Sequence, residues 1–567
     1  MGLTARTQGL ILGALTADLA VLVYLNALPN PFVYDDLVGV VRNPALVNGA
    51  GLLALVRENL FRPLVNVSLA IDHALWGQAA SGYHLTSILL HALNTVLLFA
   101  LVRRAAADWR ARAVATTPEP DVVAFVAAAL FAVHPVMSEA VGYVSARADV
   151  LVAAFAHGAL LALRAGVARV GWRVIGAVLM LAASATKETG IVLPVVALVG
   201  DRLLLGGDDS ARRRRLLAWH VPFIAVAAAL ALARAASFVW IEYPTAPLAV
   251  WSRVETKLVV VWRYVALLLF PAGQSIAHAL TTIATPQDPR AVAAALGLLA
   301  AVGLAWWLRR RAPLAVLGVA WFLLFLAPAS AVALYEPMAE RRVYLSSAGL
   351  LLTVAVVTTS VWARAGYAAR RAGAVAFLVV LVVLGLLTLE RNLVWRDAVT
   401  LWRDARLKAP GEWRAHSGLA NALAEHGRCD AALPEYETAL RLQPQPEVYT
   451  NYGVCLAAER RVADAGRAFE LALALDPRHP MAHHNLGLLA LTTRDFDGAH
   501  AHFLRAVSTY PRDAWWRQTL MRIYELEIRD PAKTLELCRA IVRVAGRETP
   551  GALECLARYQ RRVGLAR

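Results

Sequence analysis

Two adjacent carboxylates, Asp35 and Asp36, stand in "NPFVYDDLVGVVRNP", residues 30–44, between apolar runs at 9–28 and 84–102. A chain leaving a bilayer would surface there. Side-by-side carboxylates raise one another's proton affinity. That suits a general base taking a proton from a hydroxyl, or a metal site with oxygen ligands. The bland alternative is a solvated turn whose aspartates cap helices. Polar residues recur at other breaks between apolar runs. "LFRPLVNVSLAIDHALWG" carries Arg62, Asp72 and His73, and "LFAVHPVMSEAVGYVSARADVL" carries His134, Glu139, Arg147 and Asp149. "SATKETGIVLP" adds Lys187 and Glu188, and "YEPMAERRVYLSSAGL" adds Glu336, Glu340, Arg341, Arg342 and Tyr344. Each alone could be a local ion pair. Around one cavity, bases and guanidiniums of this kind suit transfer of a group from a lipid-linked phosphate.

The elements that must position them are membrane helices. The 567 residues are 59% hydrophobic, with a mean hydropathy of +0.52, which excludes an ordinary soluble enzyme. A crossing needs about 20 mostly apolar residues. Candidate runs lie at 9–28, 84–102, 121–135, 149–165, 172–184, 190–206, 217–240, 291–308, 312–334, 343–363 and 373–389. A twelfth run, 254–272, carries Glu255, Lys257 and Arg263, which are costly against lipid. The 57 Lys and Arg outnumber 41 Asp and Glu, but the excess sits in short arginine clusters between these runs. Such clusters mark cytoplasmic loops and lack the interleaved aromatics of a nucleic-acid surface. With Arg103–Arg112, Arg164–Arg173, Arg212–Arg215, Arg309–Arg311 and Arg364–Arg371 inside, eleven crossings result if 254–272 only tilts into the outer face. All the polar segments above then lie outside.

Past Glu390 the composition changes and a repeat appears. Ala420, Gly453 and Gly487 recur at intervals of 33 and 34, as do Ala432, Ala465 and Ala499, and Tyr436, Phe469 and Phe503. Ala439, Ala472 and Ala506 keep the register, and so do Pro444, Pro477 and Pro511. Small residues where two helices touch, an aromatic filling the gap and a closing proline are the tetratricopeptide pattern. Repeats are expected near 413–446, 447–480 and 481–514, with a half repeat before and a degenerate cap after. The domains are therefore 1–390, in the membrane, and 391–567, an α-solenoid that binds a peptide or serves as a spacer. Cys429, Cys455, Cys538 and Cys555 match no metal spacing. They read as four small buried residues, or as disulfides if this quarter lies outside the cytoplasm.

The acidic pair in the first outer loop, "FRPL", "HPVMSEAV…SARADVL", "KETGIVLP" and "ERRVYLSSAGL", followed by these repeats, resemble one family. It is the transmembrane and tetratricopeptide-repeat-containing (TMTC) O-mannosyltransferases and their bacterial relatives. The resemblance runs from about Tyr34 to the end of the repeats and includes 241–280. It implies an all-α fold: a polytopic GT-C-type membrane domain of about 11–12 helices, followed by the solenoid. It also implies a polyprenyl-phosphate sugar as donor, with Asp35 deprotonating a Ser or Thr hydroxyl and Asp36 orienting the acceptor or sugar. Lys187, Arg341 and Arg342 would neutralise the departing phosphate. Glu139 and His134 would shape the acceptor side with Arg62 and Tyr344 nearby, and Arg147 would be structural or phosphate-binding. Two departures from the family, "YLSS" in place of Tyr-Leu-Pro and Glu340 in place of an aspartate, bear on the surroundings of Arg341.

The Ala- and Arg-rich, Lys-poor composition suggests a GC-rich bacterium. The expected place is then the inner membrane, multi-pass, with active site and repeats in the periplasm. The expected partners are the bilayer, the lipid-linked sugar and a protein or peptide acceptor, without nucleic acid. No cofactor is assigned beyond the polyprenyl-phosphate sugar as donor substrate; paired aspartates could hold a divalent metal, but none is predicted. The alternatives are the same chemistry on a glycolipid or cell-wall polymer, and a non-catalytic scaffold.

Overall fold

The structure, a computed structural model, describes residues 4–237, 254–331, 336 and 338–565. Short interruptions fall at 48, 50, 59, 61, 114–116, 168, 281–282, 284, 286, 510–519, 521–522, 525–527 and 546–551. Residues 241–253 of the stretch 241–280, Tyr335 and Pro337 of "YEPMAERRVYLSSAGL", and Pro511 of the repeat register lie outside the described residues. Two compact units divide between Leu401 and Trp402, a little beyond the change in composition.

In the first unit every expected apolar run forms a helix, because hydrocarbon offers the backbone no other partner. The helices are Ala5–Leu22, Ala80–Arg110, Pro120–Val133, Arg147–Ala165, Val170–Ser184, Leu193–Leu204, Val221–Ser237, Val254–Leu269, Pro289–Leu308, Pro313–Ala331, Tyr344–Arg364 and Tyr367–Val394. No strand occurs among the described residues. Among the described residues seven are long and apolar enough to cross a bilayer, or eight if Pro120–Val133 and Pro135–Gly142, bent by 52°, count as one span, and Val170–Ser184 and Pro313–Ala329 are shorter apolar helices. Hydropathy counts turn residues as span, and the chain breaks at them: the run 190–206 opens with the tight turn Glu188–Val192 and keeps only Leu193–Leu204 as α-helix.

Cross-links fix the two ends of this unit. His84 Nε2 meets the Asn30 carbonyl, Asn392 Nδ2 donates to the Val23 carbonyl, and Thr388 donates to Val133. These contacts gather the acid loop, the end of Pro120–Val133 and the end of the last helix at one end of the bundle. At the other end Arg103 pairs with Asp121 and Arg164 with Asp108, where the arginine clusters lie. Val254–Leu269 does not run between the two. Its Leu268 carbonyl meets His134 and its Tyr264 hydroxyl donates to Ala339, while Lys257 near its start reaches the Ala329 carbonyl. Both of its ends thus meet residues at or near the acid-loop end. Pro313–Ala331 and Tyr344–Arg364 approach closely: a Cβ on Gly318 would lie 2.4 Å from the Gly349 carbonyl oxygen. Glycine there lets two backbones touch, which is how helices associate where the hydrophobic effect is absent.

The second unit is a stack of helix hairpins, Trp413–Glu425 with Cys429–Leu442, Pro446–Ala458 with Val462–Leu475, and Pro480–Thr492 with Phe496–Thr509. Ala398–Lys408 precedes them and Pro531–Ala545 with Ala552–Leu565 follows. The repeat register is packing made visible: a Cβ on Gly453 would sit 2.5 Å from the Phe469 ring, and one on Gly487 2.5 Å from the Phe503 ring. The cysteines are buried but not free. Cys429 bonds to Cys455 across neighbouring hairpins, and Cys538 to Cys555 within the last one.

Arg147 fastens three helices. Fully buried, it lies 2.8 Å from Asp72 and donates to Ser87, Ser68 and the Tyr83 carbonyl. Breaking a buried pair from one side strands a charge at a cost of about 3–5 kcal/mol. Arg147→Met should therefore lower the thermal unfolding temperature sharply, and the double variant with Asp72→Leu should recover much of the loss. Equal melting of the single variant and wild type would refute the fastening role.

Candidate active site

The acid loop is held at its root by amides. Asn30 donates to the Asn392 carbonyl, and Asn26 to Leu389, so the loop leaves the bundle from a fixed point beside the last helix. Tyr34 then takes a left-handed backbone, φ 55°, an uncommon conformation for a bulky residue. It sends the next two residues in different directions. Asp36 is fully buried and accepts from the Ser145 amide at 2.7 Å, the Ser145 hydroxyl at 2.6 Å and the Val33 amide at 3.3 Å. Asp35 stays exposed.

The two carboxyls thus differ in kind. Burial pushes the Asp36 carboxyl up to about 6, against the hydrogen bonds from Ser145 and Val33 that favour its charged form. Asp35 is also raised, first by the protein enclosing its flanks. The Tyr143 hydroxyl and the Arg341 guanidinium pull it back down, and Glu336 adds to the rise. Burial, rather than the neighbouring aspartate, is the main cause in both, which corrects the expectation of mutual repulsion. The Tyr143 hydroxyl is buried and pushed up, by burial first and then by the two aspartates. Its ring stacks between Trp395 at 5.4 Å and Tyr34 at 6.3 Å.

Arg341 carries the next layer. It pairs with Glu139 through side chain and backbone amide, and reaches Glu336 at 2.8 Å. Arg342 donates to the Glu336 carbonyl at 2.6 Å and lies 3.6 Å from its carboxylate. Glu340 faces away, accepting from the Ser275 amide and meeting His278, and so ties the segment after Val254–Leu269 to this turn. Arg341 thus stands near Asp35 and is bound to Glu139, and Arg342 meets the same Glu336 that Arg341 holds.

The remaining candidates are placed elsewhere. Lys187 is buried against Asp149, and burial lowers its proton affinity, which Asp149 and Glu188 only partly offset. Arg62 holds Glu188 at 2.9 Å in the same cluster. His134 Nδ1 accepts from the Val136 amide, so Nε2 must carry the proton given to Leu268, and both ring nitrogens are committed. The Tyr344 hydroxyl is likewise spent on His91 at 2.7 Å and Asn94 at 3.1 Å. Arg147 is the fastening already described. Tyr143, Ser145 and Trp395 carry no signal in the sequence as site residues, and Glu336 stands there only as one member of a polar cluster. Tyr143 and Ser145 lie inside "GYVSARAD", and Glu336 in "YEPMAERR", but no spacing links them to Asp35 or Asp36. Trp395 stands just past the last apolar run.

Known proteins resemble this chain in sequence. A family model described as Tetratricopeptide repeat matches residues 384–445 and 418–480. A protein O-mannosyl-transferase of Caenorhabditis elegans is 24% identical over 470 residues, which is 78% of this chain and 64% of that protein. The protein O-mannosyl-transferase TMTC1 of Homo sapiens is 26% identical over 513 residues, 76% of this chain and 55% of that one. A protein O-mannosyl-transferase of Drosophila melanogaster, Tmtc1, is 30% identical over 209 residues, 34% and 23% of the two chains. The chain is thus similar to protein O-mannosyl-transferases over most of its length, and spans less than two thirds of the length of these relatives.

The raised Asp36 carboxyl has a sign that can be checked. Its folded form holds the proton to about pH 6, its unfolded form only to about pH 4. Between those values the native state binds more protons, so stability falls as pH rises, by up to roughly 3 kcal/mol. Asp36→Asn should flatten this part of the melting-temperature profile relative to wild type. Parallel profiles across pH 4–6 would show that the shift belongs to another group.

Proposed function

We propose that this protein is an integral-membrane glycosyltransferase that moves a hexose, mannose first, from a polyprenyl-phosphate carrier to Ser or Thr hydroxyls of proteins. The carrying observation is the division of labour in the acid loop: Asp36 locked to Ser145, Asp35 exposed beside Tyr143 and Arg341, in a TMTC-like chain. Asp35 takes the proton of the acceptor hydroxyl. The oxygen bonds to the anomeric carbon as the bond from that carbon to the phosphate oxygen breaks. The electron pair leaves with the polyprenyl phosphate, and attack from the opposite face inverts the configuration. Asp36 positions and does not react. Arg341, saturated by Glu139 and Glu336, orients the wall. Arg342, whose contact with the Glu336 carboxylate is long, is assigned to the phosphate, where a guanidinium offers several donors. No step needs a metal.

Two features favour a site outside the cytoplasm, the periplasm in a bacterium. Both cysteine pairs are disulfides, which persist in oxidising compartments. The last membrane helix ends beside the acid loop, at the end opposite the arginine clusters. The repeats begin from there, and recruiting a protein acceptor is the role that suits them. The same chemistry on a glycolipid or wall polymer would leave the repeats without one.

A general base is worth about 10²–10⁴ in rate. Asp35→Asn should lower transfer from polyprenyl-phosphate mannose to a Ser/Thr peptide by that factor, with membrane insertion and melting temperature unchanged. Wild-type turnover in this variant would overturn the reading. A topology reporter fused after Arg391 should give an extracytoplasmic signal, and a cytoplasmic one would move both repeats and site to the wrong side.

A further inference from the structure

At the arginine-rich end of the membrane unit the helices leave a cavity of about 980 Å³, counted to its open mouth. Its inner wall is apolar, with Leu98, Val196, Phe223, Trp321 and Leu352 contributed by five helices. Along Ala80–Arg110 the lining runs from Leu98 to Asp108, about 15 Å at 1.5 Å per residue. The charged lining residues, Arg104, Asp108, Arg164 and Asp201, all come from the ends of their helices nearest the arginine clusters. The cavity is therefore a deep greasy slot with a polar rim.

The rim has more positive than negative charge to offer. Arg164 satisfies Asp108 through two hydrogen bonds of 2.6 Å, and Arg215 satisfies Asp201 at 3.0 and 3.1 Å with His220 beside it. Arg104 comes no nearer to Asp108 than 3.6 Å, and its side chain is 54% exposed. Arg173 lies 4.3 Å over the ring of Trp219, another lining residue. A peptide or a nucleotide would strand its polar groups against the inner wall. An extended hydrocarbon chain would not, and an anionic head would meet Arg104. The leaflet facing arginine-rich loops is the anionic one.

We propose that this cavity binds one acyl chain of an anionic glycerophospholipid, with its phosphate at Arg104. The isoprenoid carrier is a poorer occupant, because its reacting phosphate belongs beside Asp35, at the opposite end of the unit. The choice against the isoprenoid carrier rests on the proposed reaction; the slot and its charged rim do not. A bound chain would fill the space between Ala80–Arg110, Arg147–Ala165 and Leu193–Leu204 and act as part of the packing.

The test uses the full chain in nanodiscs of equimolar phosphatidylglycerol and phosphatidylcholine, extracted into detergent and weighed by native mass spectrometry. Wild type should retain one phosphatidylglycerol. At Gly200 a Cβ has room, 3.9 Å from the Leu317 side chain, so Gly200→Leu projects into the slot. Retention should fall at least about tenfold, as expected for excluding two or more methylenes. Arg104→Gln should keep a lipid but lose the preference for phosphatidylglycerol. Size exclusion and melting temperature report folding, and Ala197→Phe replaces Gly200→Leu if the latter melts. Equal retention by wild type and the filled variant, no retained lipid, or displacement of phosphatidylglycerol by added polyprenyl phosphate would each overturn the proposal.

Discussion

The hydrogen bonds between Asp36 and Ser145 organise the acid-loop end of the membrane unit. Ser145 belongs to the turn that joins Ser138–Gly142 to Arg147–Ala165, so this one contact ties the acid loop to that turn. Tyr143, two residues before Ser145, is thereby placed against Asp35, and its ring bridges Tyr34 and Trp395. Glu139, on the same short helix, brings Arg341 to that spot from a turn some 200 residues away in sequence. A buried carboxylate with three donors is a strong constraint, because losing one leaves an expensive unsatisfied charge.

The same economy explains why several reactive-looking residues are structural. In a membrane domain every buried polar group must find its partner inside the protein. Lys187 with Asp149, Arg147 with Asp72, Tyr344 with His91 and Asn94, and His134 with Leu268 are such solutions. Each joins two or more helices at the acid-loop end. A residue whose donors and acceptors are all spent can hold a wall, but it has little left to offer a substrate. Asp35 is exposed and Arg342 keeps a long contact; these are the groups with capacity to spare.

Much of this was legible in the sequence. Apolar runs became helices, arginine clusters marked one end of the bundle, and the 33–34-residue register is the contact between Gly453 and Phe469 repeated at Gly487 and Phe503. The tilted reading of 254–272 follows from Glu255, Lys257 and Arg263, and the helix there has both ends near the acid loop. What could not be read was partnership. Lys187 and Arg341 look alike as cations at the edge of an apolar run, and only the fold assigns one to Asp149 and the other to Glu139 and Glu336. The cysteine pairs were hidden for the same reason, since a spacing of 26 or 17 residues does not say which helices touch. Helix ends were hidden too, because hydropathy does not distinguish a helical residue from a turn.

Adjacent aspartates in an extended segment would point to opposite sides, and in a regular helix they would sit about 100° apart, with both exposed to the same medium. The left-handed backbone at Tyr34 produces a third outcome, in which one carboxyl is interred and the other presented. Such a conformation costs of order 1–3 kcal/mol and persists only where its surroundings over-determine it. Here the Asn30 amide fixes the loop before the bend and Ser145 fixes it after. Asp36 thus supplies the force that keeps Tyr34 bent, and the bend keeps Asp35 beside Tyr143 and Arg341. The pair that first looked like two equivalent acids is one anchor and one free carboxylate, and the anchor determines where the free one can act.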